Sequence, residues 1–260
     1  MQDRISTSPN LVLQMVEICK AFGGNKVLRA LSFSLQQGSV TALIGSNGAG
    51  KSTALNILSG LVQQDSGRIV LNSKVISDLP AYQRSRQGVA RTFQQPRSFQ
   101  TLTSLEAVCL AQTLPSSESL GSSIIQSGAF WRSARHDFDR ASTHLERCCL
   151  GDRGHAIAAE LSYGEQKLLM LAQALAFGAE LYCFDELCAG LQPTLIDHVA
   201  EVVQSLAGSG KTILFVEHNL DLVRRIADFT IFLHEGRVFR EGATDEVLSD
   251  PGVVQLYLGD

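Results

Sequence analysis

Apolar and polar residues alternate at the start of the chain in the pattern of half-buried β-strands. Residues 11–18 and 31–35 carry apolar side chains at every second position. The continuous apolar run at 40–44 predicts a fully buried strand and is followed by a glycine-rich stretch. Residues 51–61 then have leucines at helical spacing. The sequence therefore predicts a strand, a glycine-rich loop and a helix in succession.

Strands and helices continue to alternate in the rest of the chain. Residues 68–71 predict a further short strand, and the apolar runs 181–184 and 212–216 predict two buried strands. An amphipathic helix is predicted between these two runs, at 194–206. Because this alternation is typical of βαβ units, we expect an α/β fold with a mainly parallel sheet and one core.

A helical segment at about 95–177 is expected to be inserted into this α/β core. Within it, 113–129 is rich in Ser and Gly without a sustained period, which predicts a mobile loop. Residues 131–150 and 164–177 have helical spacing, and Gly178 is suited to end the second helix. The first helix is expected to bury one face, made of Phe138, Ala141 or Ser142, Leu145 and Cys149.

Composition narrows the classes of function. The chain has 260 residues, 45% apolar and 18% charged, with a net charge of −4. No basic excess points to nucleic acid as the main partner or to anionic lipid. The six cysteines form no C-x-x-C pair and most have apolar neighbours, which favours buried free thiols in a reducing compartment. The polar N-terminus lacks a secretory signal, and no apolar stretch is long enough to span a membrane.

The glycine-rich loop matches a phosphate-binding motif. Residues 45–52 read GSNGAGKS, the pattern G-x-x-x-x-G-K-[ST] between a strand and a helix. Its glycines let backbone N–H groups turn towards phosphate oxygens, and Lys51 adds a charge for the β- and γ-phosphates. Ser52 offers an oxygen to Mg²⁺; the alternative is a merely flexible loop. The residues expected to contact the nucleotide here are Gly45, Ser46, Asn47, Gly48, Ala49, Gly50, Lys51, Ser52 and Thr53.

Two consecutive carboxylates end the predicted strand at 181–184. Asp185 would lie at the carboxyl end of a buried strand, where it could hold Mg²⁺ directly or through water. Glu186 is the candidate to polarise an attacking water. Taken alone, a strand ending in Asp-Glu indicates only a solvated charge. The phosphate loop upstream favours the catalytic interpretation.

The order of five motifs resembles the ATP-binding cassette family. GSNGAGKST is followed by RTFQ at 91–94, LSYGEQ at 161–166, LYCFDE at 181–186 and VEH at 216–218. The resemblance covers about 11–258 as a single cassette. It implies a P-loop, RecA-like core with a mainly parallel sheet, an N-terminal antiparallel β part and the helical insert. It also implies ATP and Mg²⁺ as cofactors.

The resemblance implies roles for residues outside the phosphate loop. Ser162, Gly164 and Glu165 would cap the γ-phosphate of ATP held by a second cassette, closing a homo- or heterodimer head to tail. The alternative, an ordinary helix cap, explains Ser162 but not the order of the motifs. Gln94 resembles the hinge glutamine that touches Mg²⁺ and water, whereas a solvated amide is the preferred interpretation of the adjacent Gln95.

Two further residues are assigned in the same way. His218 resembles the switch histidine that contacts the γ-phosphate, although a lone histidine at a strand end is usually polar surface. Phe22 resembles the aromatic residue that stacks on adenine, with core packing as the alternative.

The sequence departs from the family pattern at three positions. Leu187 stands where proline is common, Gln192 where aspartate is common, and Gln173 where a helical arginine is usual. The aspartate connects the two nucleotide sites, so Gln192 puts that coupling in question. The phosphate and metal ligands are intact, so hydrolysis is still expected.

The stretch at 89–108, LSYGEQ and the C-terminal DPGVVQLYLGD are similar to the ATPases of branched-chain amino acid importers. Relatives with this tail serve urea and short amides, and a lipopolysaccharide exporter ATPase shares it in part. The resemblance implies transmembrane permease subunits as partners, a solute-binding protein as an indirect one, and a cytoplasmic position on the inner face of the membrane. The alternatives are a soluble cassette ATPase without a transport role and a regulatory subunit that holds ATP without hydrolysing it.

Overall fold

The computed structural model describes residues 10–92, 99, 101–113 and 127–258. In chain order its strands are β1 (Leu11–Phe22), β2 (Asn25–Gln36), β3 (Val40–Gly45), β4 (Ser66–Leu71), β5 (Lys74–Val75), β6 (Val89–Arg91), β7 (Leu181–Asp185), β8 (Thr212–Val216), β9 (Phe229–His234) and β10 (Arg237–Ala243). Its helices are α1 (Lys51–Leu58), α2 (Ala81–Arg86), α3 (Ser104–Thr113), α4 (Ser127–Glu146), α5 (Tyr163–Phe177), α6 (Pro193–Gly208), α7 (Leu220–Ile226), α8 (Thr244–Leu248) and α9 (Pro251–Leu258).

The strands form two sheets. An antiparallel sheet has the order β2-β1-β4-β5, and a larger sheet has the order β10-β9-β3-β8-β7-β6. In the larger sheet only the β9–β10 pair is antiparallel. The prediction of a mainly parallel α/β sheet with an antiparallel N-terminal part is therefore confirmed.

Both faces of the parallel strands are buried, which explains their continuous apolar runs. In β7, for example, Leu181 and Cys183 pack towards the antiparallel sheet and α1. Tyr182 and Phe184 pack on the opposite face, towards α5 and α6. The antiparallel strands β1 and β2 extend beyond the predicted segments because register shifts near Ile18 interrupt their alternation.

Parallel order brings three chain segments to one edge of the larger sheet. β3, β8 and β7 are adjacent and parallel, so their carboxyl ends point the same way. The segments that follow them are the glycine-rich loop, the VEH motif and the Asp-Glu pair. The fold therefore assembles the candidate site from sequence-distant motifs.

Helices α3, α4 and α5 pack against one another. Ala141 and Leu145 of α4 are buried as predicted, but Phe138 is 42% exposed. Cys149 was expected on the buried face and is exposed instead, because α4 ends at Glu146 and Cys149 takes φ 56° in the following turn. Cys148 is buried in its place. The predicted loop at 113–129 overlaps described helices at both ends, since α3 ends at Thr113 and α4 begins at Ser127; residues 114–126 lie outside the described residues.

Helix α1 ends three residues before the predicted boundary, at Leu58. Gly60 has φ 77°, and the buried guanidinium of Arg84 lies across the end of the helix. Arg84 Nη1 donates to the carbonyl oxygens of Ile57 and Leu58, and Nη2 donates to that of Ser77. A cation at this end of α1 satisfies carbonyl groups that the helix leaves unpaired and suits the helix dipole.

All six cysteines lie in the described residues and are free thiols, as the sequence predicted, but only Cys148, Cys183 and Cys188 are buried. Burial raises the pKa of Cys148, Cys183 and Cys188 to about 12 in each case. Among the described helices, none has both the length and the apolar character needed to cross a membrane.

Candidate functional site

The glycine-rich loop between β3 and α1 has two positions that exclude any side chain. Gly45 has φ 152°, and a Cβ there would lie 2.2 Å from the carbonyl oxygen of Leu233. Gly50 has φ 102°, and its Cβ would lie 2.6 Å from Cδ2 of Leu28. Glycine at these positions lets the loop turn directly into the N-terminus of α1, where backbone N–H groups can bind an anion.

Lys51 is the first residue of α1 and folds back over this loop. Its Nζ donates hydrogen bonds to the carbonyl oxygens of Gly45, at 2.6 Å, and Ser46, at 2.8 Å. Burial lowers the pKa of Lys51, whereas the negative charges of Glu186 and Asp185 raise it. The loop, the ammonium group and the two carboxylates therefore form one charged site.

Asp185 ends β7 and forms a buried ion pair. Nη2 of Arg91 lies 2.9 Å from Oδ2 of Asp185, and the two side chains are only 7% and 5% exposed. The backbone N–H of Asp185 donates to Oγ1 of Thr92 at 3.3 Å. Oδ1, the second carboxylate oxygen, is buried and has no hydrogen-bond partner among the described residues. Because buried polar atoms are normally paired, Oδ1 is a candidate ligand atom.

Glu186 follows with φ 49°, a left-handed conformation that is uncommon for residues other than glycine. Its backbone N–H donates to the carbonyl oxygen of Val216 at 2.9 Å. Its Oε1 lies 3.1 Å from Nε2 of His218, and 19% of the Glu186 side chain is exposed. A carboxylate and an imidazole therefore meet at the ends of β7 and β8, within reach of water.

Two buried charged residues hold the backbone around Glu186. Nζ of Lys167, which is 1% exposed, donates to the carbonyl oxygen of Glu186 at 2.5 Å. Oε1 of Glu217 accepts a hydrogen bond from the N–H of Cys188 at 2.9 Å. Burial raises the pKa of Glu217, while the Cys188 N–H and the charge of Lys167 oppose the shift. The conformation of Glu186 is thus maintained by contacts from α5 and from the end of β8.

The backbone after β8 is also tied in place. Oη of Tyr257, on the C-terminal helix α9, donates to the carbonyl oxygen of His218 at 3.0 Å. The side chain of Asn219 accepts from the N–H groups of Asp221 and Leu222 and so caps α7. His218 is therefore held between two helix termini while its ring reaches Glu186.

The LSYGEQ motif forms the start of α5. Ser162 is the N-cap: its Oγ accepts from the N–H of Glu165 at 3.3 Å, and the Glu165 carboxylate accepts from the N–H of Ser162 at 2.9 Å. Hydrogen bonds from Ser162 hold the pKa of Glu165 below its usual range, and Arg153 adds to this. Ser162 and Tyr163 are exposed, so the motif presents a helix N-terminus at the surface.

The structure describes one of the two remaining predicted site residues. Phe22 ends β1 and is 48% exposed, which disfavours the core-packing alternative, and Nζ of Lys20 lies 5.3 Å from its ring centroid. Gln94, together with the following residues up to Ser98, lies outside the described residues, so its predicted role stays a prediction.

Three charged residues of the site were not predicted from the sequence: Arg91, Lys167 and Glu217. Lys167 had a detectable signal, because it shares helical spacing with Leu171 and so belongs to the buried side of α5. Glu217 lies in the VEH motif between an apolar strand and His218, a position that gave no indication of burial. The partner of Arg91 depends on β6 pairing with β7, which local patterns do not specify.

A groove of about 270 Å³ opens beside β6 and the helical region. Arg91 and Thr92 line it at the sheet, and Phe99, Met170 and Gln173 line it from the other side. Phe99 is 45% exposed. The groove therefore lies immediately next to the Arg91–Asp185 pair.

Comparisons with known proteins identify the family of this chain. The model of the ABC transporter family matches residues 28–189. The high-affinity branched-chain amino acid transport ATP-binding protein LivG of Salmonella typhimurium is 34% identical over 240 residues, which cover 92% of this chain and 94% of LivG. The corresponding protein BraF of Pseudomonas aeruginosa is 30% identical over 250 residues, covering 96% and 98% of the two chains.

Solved structures similar to this chain are also ATP-binding cassettes of ABC transporters. A nucleotide-free ATP-binding cassette from an ABC transporter has a TM-score of 0.82 at 31% identity, and the match covers 96% of this chain and all of that one (100%). The ADP conformation of an ATP-binding cassette of an ABC transporter has a TM-score of 0.80, also at 31% identity, with coverage of 96% and 99%. The similarity extends over nearly the whole chain.

The buried carboxyl group of Glu217 predicts a pH-dependent stability difference. Because its pKa is raised in the folded state, the protein loses stability as the pH rises from the ordinary value of 4.5 through the raised pKa. Glu217→Gln keeps an acceptor for the Cys188 N–H but cannot ionise. We expect this variant to gain stability over wild type as the pH rises through that window, by about 1.4 kcal/mol for each pKa unit of difference.

Urea unfolding at pH 4.5 to 8 would measure this difference. Glu201→Gln, which removes an exposed carboxyl group, corrects for the change in net charge. A Glu217→Gln effect that does not change with pH would contradict the prediction.

Proposed function

Because this chain belongs to the ABC transporter family and is a transporter ATPase, we propose that it is the motor subunit of an importer for branched-chain amino acids or related small polar solutes. LivG and BraF carry the name of branched-chain amino acid transport ATP-binding proteins. Urea and short amides remain the related solutes, as the C-terminal motif suggested. We further propose that the subunit acts in the cytoplasm, at the inner face of the membrane.

The observation that carries the proposal is the convergence of four groups at one sheet edge. Lys51 follows β3, Asp185 ends β7 with Glu186 directly after it, and His218 follows β8. Both carboxylates act on the charge of Lys51, and the Glu186 and His218 side chains lie 3.1 Å apart. A cation, a metal-ligand candidate and a candidate base beside an anion-binding loop suit hydrolysis of a nucleoside triphosphate.

Magnesium fits the residues present. Oδ1 of Asp185 is a buried oxygen without a partner among the described residues, and a carboxylate oxygen is a preferred ligand for this ion. Ser52 would supply a hydroxyl oxygen from the start of α1, and Gln94 is the third candidate ligand. The described residues contain no group of three His, Cys, Asp or Glu side chains able to hold a metal ion, so phosphate and water would complete the shell. Bound there, Mg²⁺ would neutralise charge on the phosphates.

The proposed reaction transfers the γ-phosphoryl group to water. A bond forms between the water oxygen and the γ-phosphorus, and the bond from that phosphorus to the β,γ-bridging oxygen breaks, releasing ADP. Glu186 accepts the proton of the water, and His218 orients the Glu186 carboxylate and reaches the γ-phosphate. Lys51 and the loop N–H groups stabilise negative charge on the phosphates.

A second cassette is the proposed partner at the LSYGEQ surface. Ser162 and Tyr163 are exposed at the N-terminus of α5, where N–H groups favour an anion. Ser162, Gly164 and Glu165 would face the nucleotide of the partner subunit, either a copy of this chain or a related cassette.

The groove beside Arg91 is the proposed site for a permease segment. The helical insert, about 95–177, would carry the groove's outer wall and move relative to the sheet as ATP binds and leaves. Phe99 and Met170 give this wall an apolar character, which suits a helix packed into the groove. A solute-binding protein would be reached only through the permease.

Glu186→Gln tests hydrolysis. The variant keeps the phosphate loop but cannot accept the water's proton, so we expect ATP affinity close to wild type and turnover at least about a hundredfold lower. A phosphate-release assay and a nucleotide-binding titration measure the two properties. Wild-type turnover in the variant would exclude Glu186 as the base. Absence of turnover in the wild-type protein would favour the alternative of a regulatory subunit that holds ATP without hydrolysing it, which the departures at Leu187 and Gln192 leave open.

Ser162→Arg tests the partner surface. In the Glu186→Gln background with Mg²⁺ and ATP, light scattering should detect a dimer of the chain, alone or with a co-purified related cassette. An arginine at Ser162 should block closure sterically. Ser205→Arg, the same change at an exposed serine of α6, is the matched control and should leave the dimer intact. A monomer under all these conditions would count against the assignment.

Cysteine cross-linking tests the groove. In a Cys149→Ser background, which removes the exposed native thiol, cysteines replace Phe99 or Ala111 in the groove and Val75 on the distant edge strand β5. We expect the first two to cross-link to membrane proteins co-purified from the native cells, identified as permeases by mass spectrometry. Cross-linking from Val75 alone would place the docking surface elsewhere.

A further inference from the structure

One side chain links the two elements that carry Ser52 and Asp185, which are two of the candidate ligands of the metal. Ser52 lies at the start of α1 and Asp185 at the end of β7, so their separation depends on how these elements are held together. Asn56 and Ser59 follow Ser52 at intervals of four and three residues and share its side of the helix. Arg91 contacts this side of α1 and Asp185 at the same time.

The guanidinium of Arg91 divides its contacts between the two elements. Nη1 donates to Oδ1 of Asn56 at 2.7 Å and to Oγ of Ser59 at 2.9 Å. Nη2 donates to Oδ2 of Asp185 at 2.9 Å. The Ser59 hydroxyl in turn donates to the carbonyl oxygen of Leu55 at 2.9 Å, which directs its lone pairs towards Arg91. The contacts with the helix therefore fix the orientation of the planar guanidinium, and this orientation places Nη2 against the carboxylate.

This arrangement determines which oxygen of Asp185 is free. Arg91 engages Oδ2, and the bond from the Asp185 N–H to Thr92 holds the backbone. Oδ1 is left buried and without a hydrogen-bond partner among the described residues. We infer that Arg91 is a positioning residue, which orients Asp185 and sets its distance from Ser52 so that Oδ1 meets the nucleotide-bound metal ion. The inference rests on the proposed Mg²⁺ site.

A positioning role and a simple charge-balancing role predict opposite effects. If Arg91 only offset the charge of Asp185, its removal would leave a more negative site and tighten Mg²⁺ binding. If Arg91 orients the carboxylate, its removal weakens Mg²⁺ binding, because outer-shell partners of metal ligands contribute about ten- to a hundredfold to metal affinity. The sign of the change therefore distinguishes the two roles.

The experiment measures metal binding without turnover. All variants carry Glu186→Gln, and ATP-induced thermal stabilisation is followed across a Mg²⁺ titration and in EDTA. For Arg91→Gln we expect the Mg²⁺ concentration at half-saturation to rise about tenfold, with ATP affinity in EDTA changed less than twofold. Arg91→Lys keeps the charge but loses the planar guanidinium, so it should raise the Mg²⁺ concentration at half-saturation by a smaller factor. Unchanged or tighter Mg²⁺ binding in Arg91→Gln would overturn the inference.

Controls separate folding from metal positioning. Arg84→Lys alters the other buried arginine at the end of α1, which has no contact with Asp185, and should lower the melting temperature without moving the Mg²⁺ half-saturation. Asn56→Ala keeps both charges and removes one support of Arg91. If Arg91→Gln does not fold, Asn56→Ala decides alone: weaker Mg²⁺ binding supports the inference, and unchanged binding overturns it.

A further variant, with Asp185 replaced, tests the proposed metal site itself. Asp185→Asn should abolish the Mg²⁺-dependent part of the stabilisation. If it does so while the Arg91 variants bind Mg²⁺ as wild type does, only the role of Arg91 is wrong. If Asp185→Asn binds Mg²⁺ normally, the metal assignment in the proposed function fails.

Discussion

The site depends on keeping one carboxylate charged in a buried position. Asp185 is 3% exposed at the end of a strand with apolar neighbours on both sides. Desolvating such a charge costs several kcal/mol unless a partner of opposite charge is well placed. Arg91 provides that partner from the edge strand β6, and its Nη1 binds Asn56 of α1. One arginine and its ion pair thus connect the edge strand β6, the phosphate-loop helix α1 and the strand β7 that carries Asp185.

Features that follow from local backbone rules could be predicted from the sequence. The phosphate loop needs glycines at fixed spacing, and Asp185 and Glu186 follow directly from the end of an apolar run. The parallel sheet follows from the alternation of strands and helices. Because the carboxyl ends of parallel strands meet, the convergence of these motifs was also predictable.

Features that depend on which elements are neighbours could not be predicted. The pairing of Arg91 with Asp185 requires the order β7-β6 at the sheet edge. The burial of Glu217 requires the turn after Glu186 to pack against the end of β8. Cys149 was assigned to a helix face because helical spacing continued past Glu146, but spacing does not reveal where a helix ends.

The conformation of Glu186 links the surface motif to the catalytic edge. A left-handed backbone at a non-glycine residue costs of order 1–3 kcal/mol and persists only where surrounding contacts maintain it. Leu187 does not fix its own φ as a proline would, and the contacts of Lys167 and Glu217, together with the hydrogen bond from the Glu186 N–H to Val216, hold this turn. Lys167 lies five residues after Ser162 on α5, about 7.5 Å along the axis. Ser162 and Lys167 therefore belong to the same packed helical segment, and Lys167 contacts the Glu186 carbonyl directly. The start of α5 is thus connected to the candidate base through one helix and one hydrogen bond within the subunit.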